Sequence, residues 1–275
     1  MLALDEVKSP LRRGRVGRAV GFVRPYLFGL ASAAYLFTVG WIRSRNRGLI
    51  VELCRHFGYP YNVREQPTLP VIALDEITDE QVAIDVRALD TVDGNVTDRE
   101  LIAICRLVRQ QRPQAMFEFG TFDGRTTLNM AANAPNESRV YTLDLPPQDV
   151  PESRIPLDQQ ELRYASKPES GSRFKGTEVE TRIVQLYGDS GRFDFSPYAS
   201  QVDFIFIDGS HVYEYVINDS LLALQMLRNG RGTIVWHDYS TWDGVTRALH
   251  DLARRHRSFK DVRRVEGTTL ALLQL

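Results

Sequence analysis

From Thr97 onward, continuous apolar runs alternate with stretches of helical spacing. Thr97-Asp98-Arg99-Glu100 places a hydroxyl at an N-cap and a carboxylate three residues later. That capping box precedes the apolar series Leu101, Ile102, Ile104, Cys105, Leu107 and Val108 and predicts a helix start. AMFEF (115–119) reads as a strand ending at Gly120, residues 124–133 as a helix, and RVYTLD (139–144) as a second strand. Pro146 to about Thr181 is polar, with QQELRYA its one helical candidate. The strands RIVQLY (182–187) and VDFIFID (202–208) follow, then a helix from His211 to Leu227 with its stop at Asn229-Gly230. GTIVWHD (232–238) is a fifth strand and TRALHDLARRH (246–256) a helix. Two strand-like runs, DVRRVE and TTLALLQL, meet at Gly267 and close the chain as an antiparallel pair. Continuous apolar strands separated by helices indicate a parallel sheet covered on both faces.

The residues before Thr97 follow another pattern. Pro25 to Ile42 (PYLFGLASAAYLFTVGWI) carries no charge over 18 residues and is flanked by Arg24 and by Arg43, Arg45 and Arg47. This length is at the lower edge of a bilayer span. The N-terminal flank is the more basic, which would place the rest of the chain outside the cytoplasm. Spanning, lying in the membrane plane, and packing against protein are all open at this point. Lys8, Arg12, Arg13, Arg15, Arg18 and Arg24 form a basic arm with no acid after Glu6, a composition that meets phosphate. Turn residues at Gly58-Tyr59-Pro60 and from Pro67 to Pro70 make 43–96 a small helical extension and an irregular connector. The expected division is 1–96 and 97–275.

Composition narrows the class. The 275 residues are 43% hydrophobic and 25% charged, ordinary for a globular chain, and the net charge of −1 points to no nucleic-acid partner. Cys54 and Cys105 have no metal-type spacing and read as reduced core thiols. The apolar stretch begins too late for an ordinary signal peptide. A cytoplasmic protein is expected, with membrane contact through 12–47 and homo-oligomerisation left open.

In such sheets ligands bind beyond the carboxyl ends of the strands. The five strands deliver Glu118-Phe-Gly120-Thr121-Phe-Asp123-Gly124, Asp144, Gly188-Asp189-Ser190, Asp208-Gly-Ser-His211 and His237-Asp238-Tyr239. Two carboxylates in the first loop would repel a pyrophosphate and suit a ligand with a cationic amine. Asp144, some 20 residues beyond that turn, is placed to accept bonds from ribose hydroxyls. Amine, ribose and base together describe S-adenosylmethionine.

FEFGTFDGRTT, VYTLDLP, GDS, VDFIFIDGSHVYEYV and GTIVWHDY resemble the motifs of class I S-adenosylmethionine-dependent methyltransferases, closest to small-molecule O-methyltransferases of the catechol and macrolide-sugar type. The likeness covers roughly 97–275. It implies a Rossmann-like, doubly wound, mostly parallel seven-stranded sheet with an antiparallel last strand; the N-terminal helical extension and connector, 1–96, have no counterpart in it. It also implies that the turn from Gly120 through Thr121 and Asp123 to Gly124 meets the methionine part of the cofactor, with Glu118 orienting the turn or the amine. Asp144 would hold the ribose, and Asp189 with Ser190 would border the adenine. In metal-dependent members, acids matching Asp208 and Asp238 bind Mg2+ or another divalent cation, and a base follows three positions after the first acid, here His211. Those members often carry an amide after the second acid; here that residue is Tyr239, with His237 a substitute third ligand.

The chemistry agrees with these roles. A hydroxyl acceptor must lose its proton as it attacks a sulfonium methyl; a hard cation lowers its pKa and an imidazole takes the proton. Each residue also has a structural reading. Asp208 would cap the next helix, Asp144 and Asp238 would be turn acids, His211 a solvated histidine and His237 a core one. Lys167, Arg173 and Lys175 would be solvated charge, and Trp236, Trp242, Tyr213 and Tyr215 packing. Two other functions stay in view, a non-catalytic S-adenosylmethionine-binding subunit tethered to membrane and a nicotinamide-dependent oxidoreductase.

Overall fold

A computed structural model of the chain describes residues 15–43, 46–47, 49–50, 53–54, 66–157, 161–167 and 169–275. It divides into two compact units, Met1–Tyr61 and Asn62–Leu275. In the first unit, helix α1 (Arg15–Thr38) contains Pro25 and is followed by one tight turn, Gly40–Ile42. Side chains close its end: Trp41 Nε1 donates to the Thr38 carbonyl at 2.9 Å and Arg47 Nε to the Trp41 carbonyl at 3.0 Å. Tyr26, Leu27, Phe28 and Leu30 are all more than half exposed. Among the described residues, no helix is long and apolar enough to cross a membrane. The helix stops at Thr38, so its charge-free part is about 20 Å long at 1.5 Å per residue, against a hydrocarbon core of about 30 Å. Of the three placements open in the sequence, spanning is therefore not the one the helix supports.

The second unit is built on a mixed sheet of eight strands in the order β1-β7-β8-β6-β5-β2-β3-β4. These are β1 (Val71–Ile72), β2 (Ala115–Phe119), β3 (Arg139–Asp144), β4 (Ile183–Tyr187), β5 (Phe204–Ile207), β6 (Thr233–Trp236), β7 (Arg263–Val265) and β8 (Ala271–Gln274). β8 runs antiparallel to both β6 and β7, and the other pairs are parallel. This is the expected doubly wound, Rossmann-like arrangement. Helices α2 (Leu74–Ile77), α3 (Asp98–Gln111), α4 (Arg125–Asn133), α5 (Leu162–Ala165), α6 (Tyr213–Met226) and α7 (Asp243–Arg255) lie between the strands in sequence. On β5, Ile205 and Ile207 enter one core cluster with Phe117 and Trp236, while Phe204 and Phe206 enter the other with Met116 and Val235. Both faces are covered, so the strands read as unbroken apolar runs; each fully buried side chain of this size contributes roughly 1.5–3 kcal/mol.

The strand beyond the expected seven is β1, which pairs Val71 with Arg264 and Ile72 with Val265. Two residues directly after Pro70 carry no readable period. The compact unit consequently starts at Asn62 and takes in the connector, where the sequence placed the start at Thr97. Three devices hold that connector. Arg125, fully buried, donates to the carbonyls of Ala88 and Val96, both at 2.8 Å, and to Asp98. Asn129 and Asn133 accept from the amides of Arg87 and Asp85 at 2.8 and 2.9 Å and donate back to the same residues' carbonyls. The Leu69 amide donates to the Tyr239 hydroxyl at 2.9 Å.

Candidate active site

The first glycine turn is shaped by contact with the chain itself. Gly120 has φ +90°, and a Cβ there would lie 2.1 Å from the Asp208 carbonyl oxygen, where the ends of β2 and β5 meet. Gly124 has φ +85°, and its Cβ would fall 2.7 Å from the Phe174 ring and 2.8 Å from Gly171 Cα. Only glycine tolerates both the left-handed backbone and the crowding. The close approach that the sequence reserved for a ligand is, at Gly124, made by the polar segment 169–174.

Under the turn runs a buried polar track. Glu118, Thr142 and Gln185 are register neighbours on β2, β3 and β4. Gln185 Nε2 donates to Thr121 Oγ1 at 2.9 Å, Thr121 and Thr142 hydroxyls meet at 2.7 Å, and Thr142 and Thr127 donate to Glu118 Oε2. Glu118 Oε1 is buried without a hydrogen-bond partner. Burial pushes the Glu118 carboxyl up to about 8 against the opposing pull of the Thr127 and Thr142 bonds. Glu118 thus reaches the turn through Thr142 and Thr121.

The other acids of this half are engaged by cations and hydroxyls. Asp123 accepts from the Arg125 amide and Asn95 at 3.0 Å, and from Arg173 Nε at 2.6 Å. Asp144 pairs with Lys167 at 2.7 Å and accepts from the Ser170 hydroxyl. Lys167 and Arg173 are therefore paired and largely buried, not solvated as their setting in a polar stretch suggested. Asp189 accepts from the Tyr215 hydroxyl and the Gly191 amide, both at 2.8 Å. The Ser190 carbonyl accepts from Asn218 at 3.3 Å. Beside it the buried Asp219 carboxyl is pushed up to about 7 by burial, against bonds from Asn218 and Ser190.

At the ends of β5 and β6 the balance is different, because carboxylates meet imidazoles. His237 Nδ1 lies 3.0 Å from Asp208 Oδ1 and 3.2 Å from Asp238 Oδ2, and its Nε2 lies 3.2 Å from Glu100. His211 Nε2 lies 2.8 Å from Asp238 Oδ2 and its Nδ1 2.9 Å from Glu161. The ring stacks on Trp242 with centroids 4.2 Å apart. Burial alone would depress the His211 pKa, but bonds to Asp238 and Glu161 raise it to about 10. His237 is likewise raised well above its ordinary value by the charges of Asp208, Asp238 and Glu100, which outweigh burial. Asp238 is held well below the usual carboxylate range by His237 and His211 against a larger burial cost, while burial prevails at Asp208 and raises it. Asp238 has φ +62°, an uncommon backbone for a non-glycine residue that concentrates at functional sites.

Asp208 does not cap the following helix: the N-cap of α6 is Val212 and no side chain caps it. Among the described residues, Asp208, His211 and Asp238 bring one ligand atom each within 4.8 Å of one another. Two carboxylates and an imidazole form a donor set suited to a divalent cation. His237 stands beside this group with its Nε2 turned to Glu100. Two residues here were not singled out in the sequence. Glu161 also accepts from the His211 amide and the Ser210 hydroxyl, and Glu100 was visible only as a capping residue.

Residues 117–239 match the family model of a methyltransferase domain. The match takes in 123 of the 275 residues. It contains every acid and histidine of the two half-sites just described except Glu100. Solved structures similar to the chain include an O-methyltransferase from Bacillus cereus in complex with SAH, at 16% identity over 67% of this chain and 84% of that one, with a TM-score of 0.47. The O-methyltransferase TomG from Streptomyces achromogenes, involved in tomaymycin synthesis and in complex with SAM, is 19% identical over 77% and 91%, with a TM-score of 0.46. An SAH-bound methyltransferase from Podospora anserina is 13% identical over 66% and 80%, with a TM-score of 0.49. No curated protein matches the sequence.

Proposed function

We propose that the methyltransferase domain moves a methyl group from S-adenosylmethionine to a hydroxyl of a small molecule. The observation that carries this reading is the convergence of Asp208, His211 and Asp238 at the ends of β5 and β6, beside the strand that leads into the glycine turn. Glu118, Gly120, Thr121, Asp123, Gly124, Asp144, Asp189 and Ser190 would hold the cofactor. Their chemistry fits it: Asp144 and Asp189 are acceptors at neighbouring strand ends, and an acidic loop repels the pyrophosphate of a nicotinamide dinucleotide. The cofactor supplies an electrophilic sulfonium methyl when bound.

His211 is the proposed general base. With carboxylates on both ring nitrogens it holds its proton at neutral pH. An acceptor hydroxyl that takes Asp238's place at Nε2 removes one of those two partners and lowers the imidazole pKa, so that the Nε2 proton is released to solvent and the freed lone pair takes the hydroxyl proton. Asp208 and Asp238 orient the acceptor. Asp208 and Asp238 would also be the carboxylates that hold a divalent cation, with the His211 ring left uncoordinated as the base; the cation's charge would favour the ionised hydroxyl. Chelation followed by Mg2+ restoration tests that part: activity indifferent to chelator leaves Asp208 and Asp238 as orienting acids.

Calorimetric titration with S-adenosylmethionine and with NAD tests the cofactor; binding of NAD alone would replace this reading with an oxidoreductase. For the first unit we propose in-plane contact with an anionic membrane surface, supported by the exposed Leu27 and Phe28 beside Arg24. Flotation of the full chain with anionic but not neutral vesicles is the expected result.

A further inference from the structure

Residues 161–167 and 169–174 lie over the carboxyl edge of the sheet and touch the glycine turn and Asp144, two of the places where the cofactor reading needs an open surface. The Gly171 amide donates to the Phe122 carbonyl and the Arg173 amide to the Asp123 carbonyl, both at 2.9 Å. Phe174 and Gly171 fill the space above Gly124. Lys167 reaches Asp144 with its ammonium, and the two side chains are only 9% and 7% exposed. The Ser170 hydroxyl donates to the same oxygen, Asp144 Oδ2. Lys167 lies 6.0 Å from the Phe122 ring centroid, and its Nζ is 3.5 Å from the Tyr164 carbonyl. Asp144 Oδ2, already accepting from an ammonium and a hydroxyl, has no lone pair left for a ribose hydroxyl, so a diol that bridges both carboxylate oxygens is shut out.

We propose that Lys167 is an affinity-setting latch of the cofactor site, occupying Asp144 in competition with the ribose hydroxyls of the cofactor. This rests on the assignment of Asp144 to the ribose. The segment then has a closed arrangement, with Lys167 and Ser170 on Asp144, and an open one in which that carboxylate is free. Observed affinity is the intrinsic affinity multiplied by the open fraction. The latch also gives the buried ammonium a role. A cation that merely neutralised Asp144 would serve equally well at the rim, where its desolvation costs less. The far end of the same segment carries Glu161 onto His211. Opening the segment for the cofactor therefore also loosens the grip on the proposed base.

The test is titration of the full-length protein with S-adenosylhomocysteine, comparing wild type with Lys167→Met. Removing the ammonium is expected to tighten binding about tenfold, as the open fraction rises. Unchanged or weaker binding by Lys167→Met overturns the latch and makes Lys167 a bystander or a ligand-binding residue. Binding by neither protein overturns the cofactor reading itself, and the latch with it. A second measurement uses wild type alone, so it survives misfolding of the variant. The rate of S-adenosylhomocysteine association should level off at high concentration, where opening becomes limiting; strict proportionality throughout overturns the proposal.

Discussion

The two halves of the sheet's carboxyl edge handle buried acid in opposite ways. Around β5 and β6, two imidazoles lie among Glu100, Glu161, Asp208 and Asp238, and each of these carboxylates has a ring nitrogen within 3.2 Å. Around β2 and β3, Glu118 meets only hydroxyls, while Asp123 and Asp144 receive their cations from segment 161–174. Glu100 and Glu118 make the contrast sharpest. Both are nearly inaccessible, yet the first is driven to about 2 by His237 and hydrogen bonds from Thr269 and Thr97 against the burial cost, and the second to about 8 by burial. Burial sets no direction alone; the partner decides whether a carboxylate is kept charged or neutral. The half with built-in imidazoles is equipped to move protons. The half with borrowed cations is equipped to exchange them for a ligand.

The largest effect expected from this contrast is catalytic. His211→Ala should lower kcat by about 10²–10⁴-fold, the usual worth of a general base, with S-adenosylmethionine affinity unchanged by calorimetry. Undiminished turnover would remove proton transfer from the β5–β6 half.

Glu100→Gln comes next. The Glu100 carboxyl falls from 4.5 to about 2 in the folded chain, so its contribution is fully present above pH 4.5 and is lost as pH falls toward 2. Urea unfolding at pH 7 should show a loss of about 3 kcal/mol, which shrinks on acidification. An equal loss at pH 7 and pH 3 would mean that the charge is not what holds Glu100.

Glu118→Gln should behave in the opposite way. Its folded pKa lies above the unfolded 4.5, so the wild-type contribution is present below pH 4.5 and is lost as pH rises through about 8. A neutral amide removes that loss, and the variant should match wild type near pH 5 and exceed it at pH 8 by about 2–4 kcal/mol. Destabilisation at pH 8 by urea unfolding would erase the distinction between the two glutamates.

The smallest effect lies outside both halves. Asn129→Ala cuts a two-way hydrogen-bonded clamp on Arg87 and should cost about 1–2 kcal/mol in urea unfolding, without altering cofactor affinity.

Much of the sheet was legible because its signals are local. The capping box at Thr97 and Glu100 forms as read, with the Thr97 amide 2.9 Å from Glu100 Oε2. RVYTLD occupies the expected 139–144. α7 begins at Asp243, three residues before the helix expected over 246–256, because Trp242 starts the turn that the strained Asp238 sets up. β1 was missed because its pairing with β7 spans most of the chain and leaves no mark on neighbouring residues.

The acids and histidines at the strand ends were legible for the same local reason: polar residues that interrupt buried strands stand out against the apolar period. Their partners were not. Glu161 sits 50 positions from His211 in a polar stretch where nothing distinguishes it from Glu152 or Glu169. Lys167 and Arg173 resemble surface charge until the fold lays them on Asp144 and Asp123.

The sequence by itself determined which residues reach the carboxyl edge, since strand period and breaks are properties of adjacent positions. Only the tertiary structure decided which charges neutralise which, and therefore the protonation of Glu100, Glu118 and His211. Coulomb and hydrogen-bond energies depend on distances of a few ångströms between groups tens of residues apart, and chain order carries no record of them.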